Sequence, residues 1–310
     1  MLQRTCDYID RKIEEGYCNR YAAFLNGFIK RLGCLLVYLV YLISTFIAFT
    51  AFAIILPYEQ IYKSSYLCGI LFVFGVYIFV MIEYHYYKAR TLPPIPQPGK
   101  EGDRFCERCN YWKNDRTHHC GVCNKCIMGM DHHCIWINTC VGSHNHRHFF
   151  LFICSLTIAT LTILVAGFNT AYDHVFEYFN EHNFCAVNLA FAPLQGYICE
   201  YGQLARNLVI FCYFLSGLLF LLVGGLSLWN VYLISQGFTY IDYLRHTDFK
   251  HVPGYKNHMN KGFKENWTNF LGLRRNRHFW SHVLLPSSHP PIVYDSLGRL
   301  ETYDKAYDIV

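Results

Sequence analysis

Long apolar runs separated by charged connections dominate this chain. Four stretches, Leu35–Leu56, Tyr66–Ile82, Phe149–Phe168 and Leu208–Ile234, are almost wholly apolar and carry no interior charge. A bilayer crossing needs about 20 residues of helix. Helices of soluble proteins usually keep a polar stripe, and these do not. The pattern therefore predicts spans over 34–57, 66–83, 149–169 and 208–234. The intervening segments are 1–33, 58–65, 84–148, 170–207 and 235–310. The Pro-rich stretch Leu92–Pro98 reads as an extended connector after the second span. No internal repeat stands out.

Charge adds an orientation. Lys and Arg number six in the N-terminal segment, nine between Glu83 and His148 and ten in the C-terminal tail; the other two connections hold only Lys63 and Arg206. Basic residues concentrate on the cytosolic side of membrane proteins. Both termini and the middle loop are thus expected in the cytosol, with 58–65 and 170–207 in the lumen. The first 30 residues are polar, with no cleavable signal visible, so the first apolar run would act as an anchor. Cys185 and Cys199 share the lumenal side, where they either pair as a disulfide or are simply buried. The sequon Asn266-Trp267-Thr268 falls in the cytosolic tail and should carry no glycan.

Composition matters most in the middle loop. Seven of the 15 cysteines lie between Cys106 and Cys140, in CERCNYWKNDRTHHCGVCNKCIMGMDHHCIWINTC. Pairs with Cys-x2-Cys spacing occur at Cys106/Cys109 and Cys120/Cys123, and Cys126 follows. Thiolate and imidazole at such spacings suit tetrahedral zinc. A loop with so few aliphatic residues cannot bury a core of its own, so metal binding would supply its folding free energy. The count is informative. Two closed Cys3His sites use six cysteines and two of His118, His119, His132 and His133. One thiol and two imidazoles are left over. Asp131-His132-His133-Cys134 holds the parts of an activated nucleophile: a thiol, a base and a carboxylate to orient it. Composition alone leaves open which cysteine is spare.

Asp131-His132-His133-Cys134 in this cysteine frame, with two spans before it and two after, resembles the DHHC zinc-finger palmitoyltransferase family. The resemblance covers about residues 30–285. It extends to Trp136, Asn138, Cys140, Val141, Gly142 and Asn145. Thr239-Tyr240-Ile241-Asp242 resembles the family's Thr-Thr-x-Glu motif, and Asn266 resembles a family asparagine. NWTNFLG and VLLPSSHPP look most like the Abl-philin subgroup. The resemblance implies an all-α membrane protein of four transmembrane helices, with a cytosolic cysteine-rich domain binding two structural zinc ions between helices 2 and 3. It implies one zinc on Cys106, Cys109, His119 and Cys126, and the other on Cys120, Cys123, His133 and Cys140. It implies acylation of Cys134, activation by His132 and Asp131, and transfer of a long acyl chain from palmitoyl-CoA to membrane-proximal protein cysteines. Trp136 and Ala159 would contact the acyl group, Ala159 at the depth position of helix 3. The location implied is the endoplasmic reticulum, with the Golgi as alternative.

Three departures stand out. Ile135 replaces the family's proline after the reactive cysteine, which implies a looser active-site backbone. Tyr240 and Asp242 replace Thr and Glu. Leu92-Pro93-Pro94 stands where an Asp-Pro-Gly motif is expected. Elsewhere, His144, His146 and His148 read as an interfacial polar cap in preference to a third metal site. Arg274, Arg275 and Arg277 either touch anionic lipid or form a solvated face. Cys34, Cys68, Cys154 and Cys212 read as packing residues. The alternatives are a zinc scaffold on a membrane anchor, a nucleic-acid-binding finger and a transporter. The finger lacks a basic recognition helix, and the transporter lacks ionisable residues in the spans.

Overall fold

The computed structural model describes residues 2–94, 99–176, 181–186, 189, 192–273 and 277–288. The chain begins with α1 (Leu2–Thr50), a π-helical turn (Ala51–Ile55) and α2 (Leu56–Glu59), which form one continuous rod. Next come α3 (Ser65–Thr91), strands β1 (Arg104–Cys106), β2 (Tyr111–Lys113), β3 (Thr117–Cys120), β4 (Lys125–Met128), β5 (His132–Cys134) and β6 (Thr139–Val141), and α4 (His146–Ala166). Short helices α5 (Phe168–Val175), α6 (Glu181–Ala186) and α7 (Gln195–Glu200) lead to α8 (Gly202–Ser235). The C-terminal part holds α9 (Tyr240–Phe249), α10 (Phe263–Leu271) and α11 (Phe279–His282).

Four helices are long and apolar enough to span a membrane: Tyr21–Glu59, Ser65–Thr91, His146–Ala166 and Gly202–Ser235. The shortest has 21 residues, about 32 Å of helix against roughly 30 Å of hydrocarbon. Their outer faces present Tyr38, Leu42, Val73, Leu221 and Leu228, all strongly exposed. Such apolar exposure suits lipid and would be a liability in water. This is a multi-pass membrane protein. α3 packs along α4, and α4 along α8.

The helices overrun the apolar runs. α3 continues nine residues past Ile82 to Thr91, because Tyr84, His85, Tyr86 and Ala89 bury a continuing stripe against the loop and α4. The expectation that the spans hold no ionisable group therefore fails. Glu83 lies on α3, bonded to Ser44 Oγ at 2.7 Å, and Glu59 is buried at the end of the first span. Of the Pro-rich connector, Leu92–Pro94 is extended and residues 95–98 lie outside the described residues.

At the opposite membrane end Cys185 and Cys199 form a disulfide. That resolves the choice between pairing and simple burial. The C-terminal part folds back on the spans. Tyr77 Oη on α3 donates to the Leu284 carbonyl at 2.7 Å, and Val283 packs with Phe150, Leu151, Ile234 and Phe270. Asn266 is buried, its amide donating to Ser235 O at 2.8 Å and to Asn260 Oδ1 at 2.9 Å. Arg274 and Arg275, and VLLPSSHPP from His289 onward, lie outside the described residues.

Candidate active site and metal centres

The loop between α3 and α4 is three antiparallel hairpins, β1–β2, β3–β4 and β5–β6. They repeat one pattern every fourteen residues, contrary to the expectation of no repeat. Cys106, Cys120 and Cys134 end the first strand of each hairpin. Three residues on stand Cys109, Cys123 and Ile137. The next position is Asn110, Asn124 or Asn138, each with φ between 51° and 56°. Asn tolerates the left-handed turn that lets backbone wrap a sulfur. Cross-strand pairs follow the same frame: Phe105 faces Trp112, His119 faces Cys126 and His133 faces Cys140.

Each metal cluster takes the Cys-x2-Cys turn of one hairpin and the His/Cys pair of the next. Cys106, Cys109, His119 and Cys126 form one set of ligand atoms within 4.8 Å of each other, and Cys120, Cys123, His133 and Cys140 form the other. His119 Nδ1 lies 3.6, 3.3 and 3.9 Å from Cys106, Cys109 and Cys126 Sγ. His133 Nδ1 lies 3.7, 3.4 and 3.7 Å from Cys120, Cys123 and Cys140 Sγ. Zinc bonds of ~2.3 Å to sulfur and ~2.0 Å to nitrogen put tetrahedral ligands about 3.5–3.8 Å apart. The donor sets therefore fit two closed, structural zinc sites. These two quartets contain the same eight residues that the family resemblance implies.

The interleaving has two ends. Among the described residues no Cys-x2-Cys turn precedes the first hairpin, and its His/Cys positions hold Phe105 and Trp112, whose rings meet edge-on at 5.1 Å. After the third hairpin no further His/Cys pair follows. Its turn carries Cys134, with Ile137 in place of a second cysteine, and Ile137 is fully buried. Cys134 thus occupies a zinc-ligand position that lacks the rest of a site.

Instead its near neighbour is His132, whose ring is influenced by the thiol. His132 Nδ1 lies 2.6 Å from Asp131 Oδ2, and Asp131 Oδ1 accepts the Tyr240 N–H at 2.6 Å. Burial works to lower His132, but the influence of Asp131 and Cys134 outweighs that and pushes it up to about 10. Burial also works to raise Asp131, yet His146, His132 and the Tyr240 N–H hold it below the usual carboxylate range. In the second hairpin His118 holds the position of His132. There burial and Arg104 push the ring down to about 4.

The turn after Cys134 is clamped. Tyr86 Oη, from α3, donates to the Trp136 carbonyl at 2.9 Å, and Asn138 N–H donates to Ile135 O at 3.2 Å. Asn145 holds the returning strand, donating to Ala89 O and Cys140 O at 2.7 and 2.9 Å and accepting Gly142 N–H. α1 reaches the same turn at Gly33, where any β-carbon would sit 2.4 Å from Asn138 Oδ1. Ile135 thus stands in a turn held by these bonds, where the resemblance implies proline. Asp242 also serves where Glu was expected. It completes a capping box with Thr239 and pairs with the buried Arg116.

Cys134 packs on an apolar column that includes Ile78, Ile82, Phe149, Phe152, Leu156 and Ala159. Phe74, Ile78, Ile82, Leu156 and Ala159 also line an apolar cavity between the first three spanning helices. Trp136 is half exposed beside the reactive turn. The remaining expectations are corrected in part. His144, His146 and His148 are buried, so they are no interfacial cap; His148 Nδ1 lies 2.9 Å from His85 Nδ1, and His146 meets Asn230. Cys68 and Cys212 are packed inside, whereas Cys34 is exposed and accepts the Asn138 amide at 3.2 Å.

Known proteins resemble this chain in sequence over most of its length. The family model described as DHHC palmitoyltransferase matches residues 99–247. The chain is 33% identical over 282 residues to palmitoyltransferase ZDHHC16 of Mus musculus, covering 86% of this chain and 74% of that protein. It is 32% identical over 286 residues to its Homo sapiens counterpart, covering 86% and 75%. Palmitoyltransferase ZDHHC20-A of Danio rerio is 32% identical over 220 residues, covering 69% and 51%. With the hairpins, two thiol–imidazole quartets and four spans in place, this chain belongs to the DHHC palmitoyltransferase family and is a protein S-palmitoyltransferase.

Proposed function

We propose that Cys134 carries the acyl group in this transferase, with acyl-CoA as donor and cytosolic, membrane-proximal cysteines as acceptors. The observation that carries the reading is the incomplete third hairpin turn: one sulfur outside both metal quartets, two residues from His132, whose ring bonds to Asp131. When bound, the two zinc ions would sit on Cys106, Cys109, His119 and Cys126, and on Cys120, Cys123, His133 and Cys140; they would hold the hairpins folded and offer no open position.

His132 takes the thiol proton, and Asp131 fixes the ring and favours its cationic form. The Cys134 thiolate attacks the thioester carbonyl. The departing CoA thiolate receives the proton from His132. A substrate thiol then gives its proton to His132 as it attacks the acyl-Cys134 thioester, and Cys134 leaves as thiolate. Exchange of thioester for thioester needs no nucleotide. The acyl chain lies in the apolar cavity past Ala159, and Trp136 flanks the carbonyl end. Each buried methylene contributes roughly 0.8 kcal/mol, so a long chain binds through its tail.

The segments 1–33, 84–148 and 235–310 face the cytosol in this reading, and 58–65 and 170–207 face the lumen. The split of basic residues supports it, as does the Cys185–Cys199 disulfide on the poorly basic side, since disulfides persist in oxidising compartments. The subgroup resemblance supports the endoplasmic reticulum. Purified protein given labelled palmitoyl-CoA should form a hydroxylamine-labile adduct on Cys134 and pass it to an acceptor peptide. Wild-type transfer by Cys134→Ser would refute the reading. A membrane-anchored scaffold would form no adduct.

A further inference from the structure

The apolar cavity does not end at Ala159. It follows α4 two more turns to Ala166 and Gly167, faced by Ala48, Ala51 and Ile55 of the first helix. Eight residues of helix add about 12 Å of depth. Gly167 lets the two helices close there: a β-carbon on it would lie 2.7 Å from Ile55 Cγ2. Glu59 is the one ionisable side chain among the described residues lining the cavity, and it is only 1% exposed.

That carboxylate is fully engaged. Oε1 accepts both the N–H and the hydroxyl of Thr170 at 2.8 Å, and Oε2 accepts Asn169 Nδ2 at 3.0 Å and the Lys63 ammonium. Behind it Tyr58 and Tyr62 donate to Asp173 at 2.8 and 2.5 Å, and Tyr58 packs on Phe184, next to the disulfide. The network ties the end of the first span to α5 and α6. An apolar chain end pushing past this point would orphan several buried donors at once, which is far costlier than the contacts it would gain.

We infer that Glu59 is the floor of the acyl cavity and sets the longest chain this enzyme accepts. The inference rests on the reading of this cavity as the acyl site. A small residue at 159 passes the chain on; the engaged carboxylate two turns deeper stops it. A methyl terminus is stopped because it can offer no hydrogen bond in exchange.

The test is a series of saturated acyl-CoAs of increasing length, read as the rate of adduct formation on Cys134 in the full-length protein. Wild type is expected to show a sharp upper limit. Glu59→Ala should admit the first length that wild type rejects, raising its relative rate about fifteenfold for two extra buried methylenes. Glu59→Gln keeps the shape and should keep the limit. Ala166→Leu, at the same level, should move the limit to shorter chains, and it decides the matter if Glu59→Ala does not fold. Ala159→Tyr, higher in the cavity, is the control for the acyl-site reading. If Ala159→Tyr shortens the limit while the folded floor variants leave it unchanged, Glu59 is not the floor. If Ala159→Tyr also changes nothing, the cavity does not hold the acyl chain and the inference falls with it.

Discussion

The Tyr86 hydroxyl donates to the Trp136 carbonyl at 2.9 Å, joining α3 to the turn that carries Cys134. Tyr86 is 1% exposed and edges onto Tyr41 at 5.0 Å. With Ile135 where relatives of this motif are expected to have proline, this bond supplies backbone order that a ring would otherwise supply.

Tyr86→Phe keeps the packing and removes one buried donor. It should cost about 1 kcal/mol of stability. Misplacement of the reactive turn should lower the rate of adduct formation by roughly tenfold or more. Introducing Ile135→Pro into that variant should restore part of the rate. Single-turnover acylation and thermal melts check both. An unchanged rate in Tyr86→Phe would show that the turn orders itself.

Arg116 and Asp242 form a buried ion pair between the second hairpin region and α9. Asp242 also caps that helix through Thr239, and Tyr240 N–H reaches Asp131. Removing either partner strands a buried charge, so Arg116→Met or Asp242→Asn should each cost on the order of 3 kcal/mol. The double variant should cost clearly less than the sum of the two. Additive losses in denaturation midpoints would mean the two do not act as a pair.

Much of this was legible in the sequence. The four apolar runs locate the spans, and Cys-x2-Cys spacing locates the metal loop, because both signals are local. The helix ends were less readable: α3 continues through Glu83, Lys88 and Arg90, whose charges mimic a loop while Tyr86 and Ala89 still bury. The polar floor was invisible, since Glu59 meets Asn169 and Thr170 across 110 and 111 positions. The fourteen-residue repeat was present in the text but disguised. Its third copy has Ile137 for cysteine, and its first has Phe105 and Trp112 for ligands. Aligning the three Asn residues at 110, 124 and 138 would have exposed it.

That disguise has a consequence for Ile137. Ile137→Cys would restore a Cys-x2-Cys turn around the reactive sulfur, beside His132. Thiolate pairs bind zinc and cadmium readily. The variant should therefore become sensitive to low concentrations of cadmium, with adduct formation lost and then recovered with a mild chelator. Wild type, which has Ile137 in place of a second thiol in that turn, should be far less sensitive. Equal sensitivity of the two proteins would argue against a metal-free turn at Cys134.

Zinc counting tests most directly whether one sulfur stands outside two closed sites. Purified Cys134→Ser should retain two zinc ions per chain, as wild type does, while Cys120→Ser and Cys126→Ser each hold fewer and lose soluble folded protein. A Cys134→Ser protein with less zinc than wild type would make that sulfur a ligand and would contradict its role as the nucleophile.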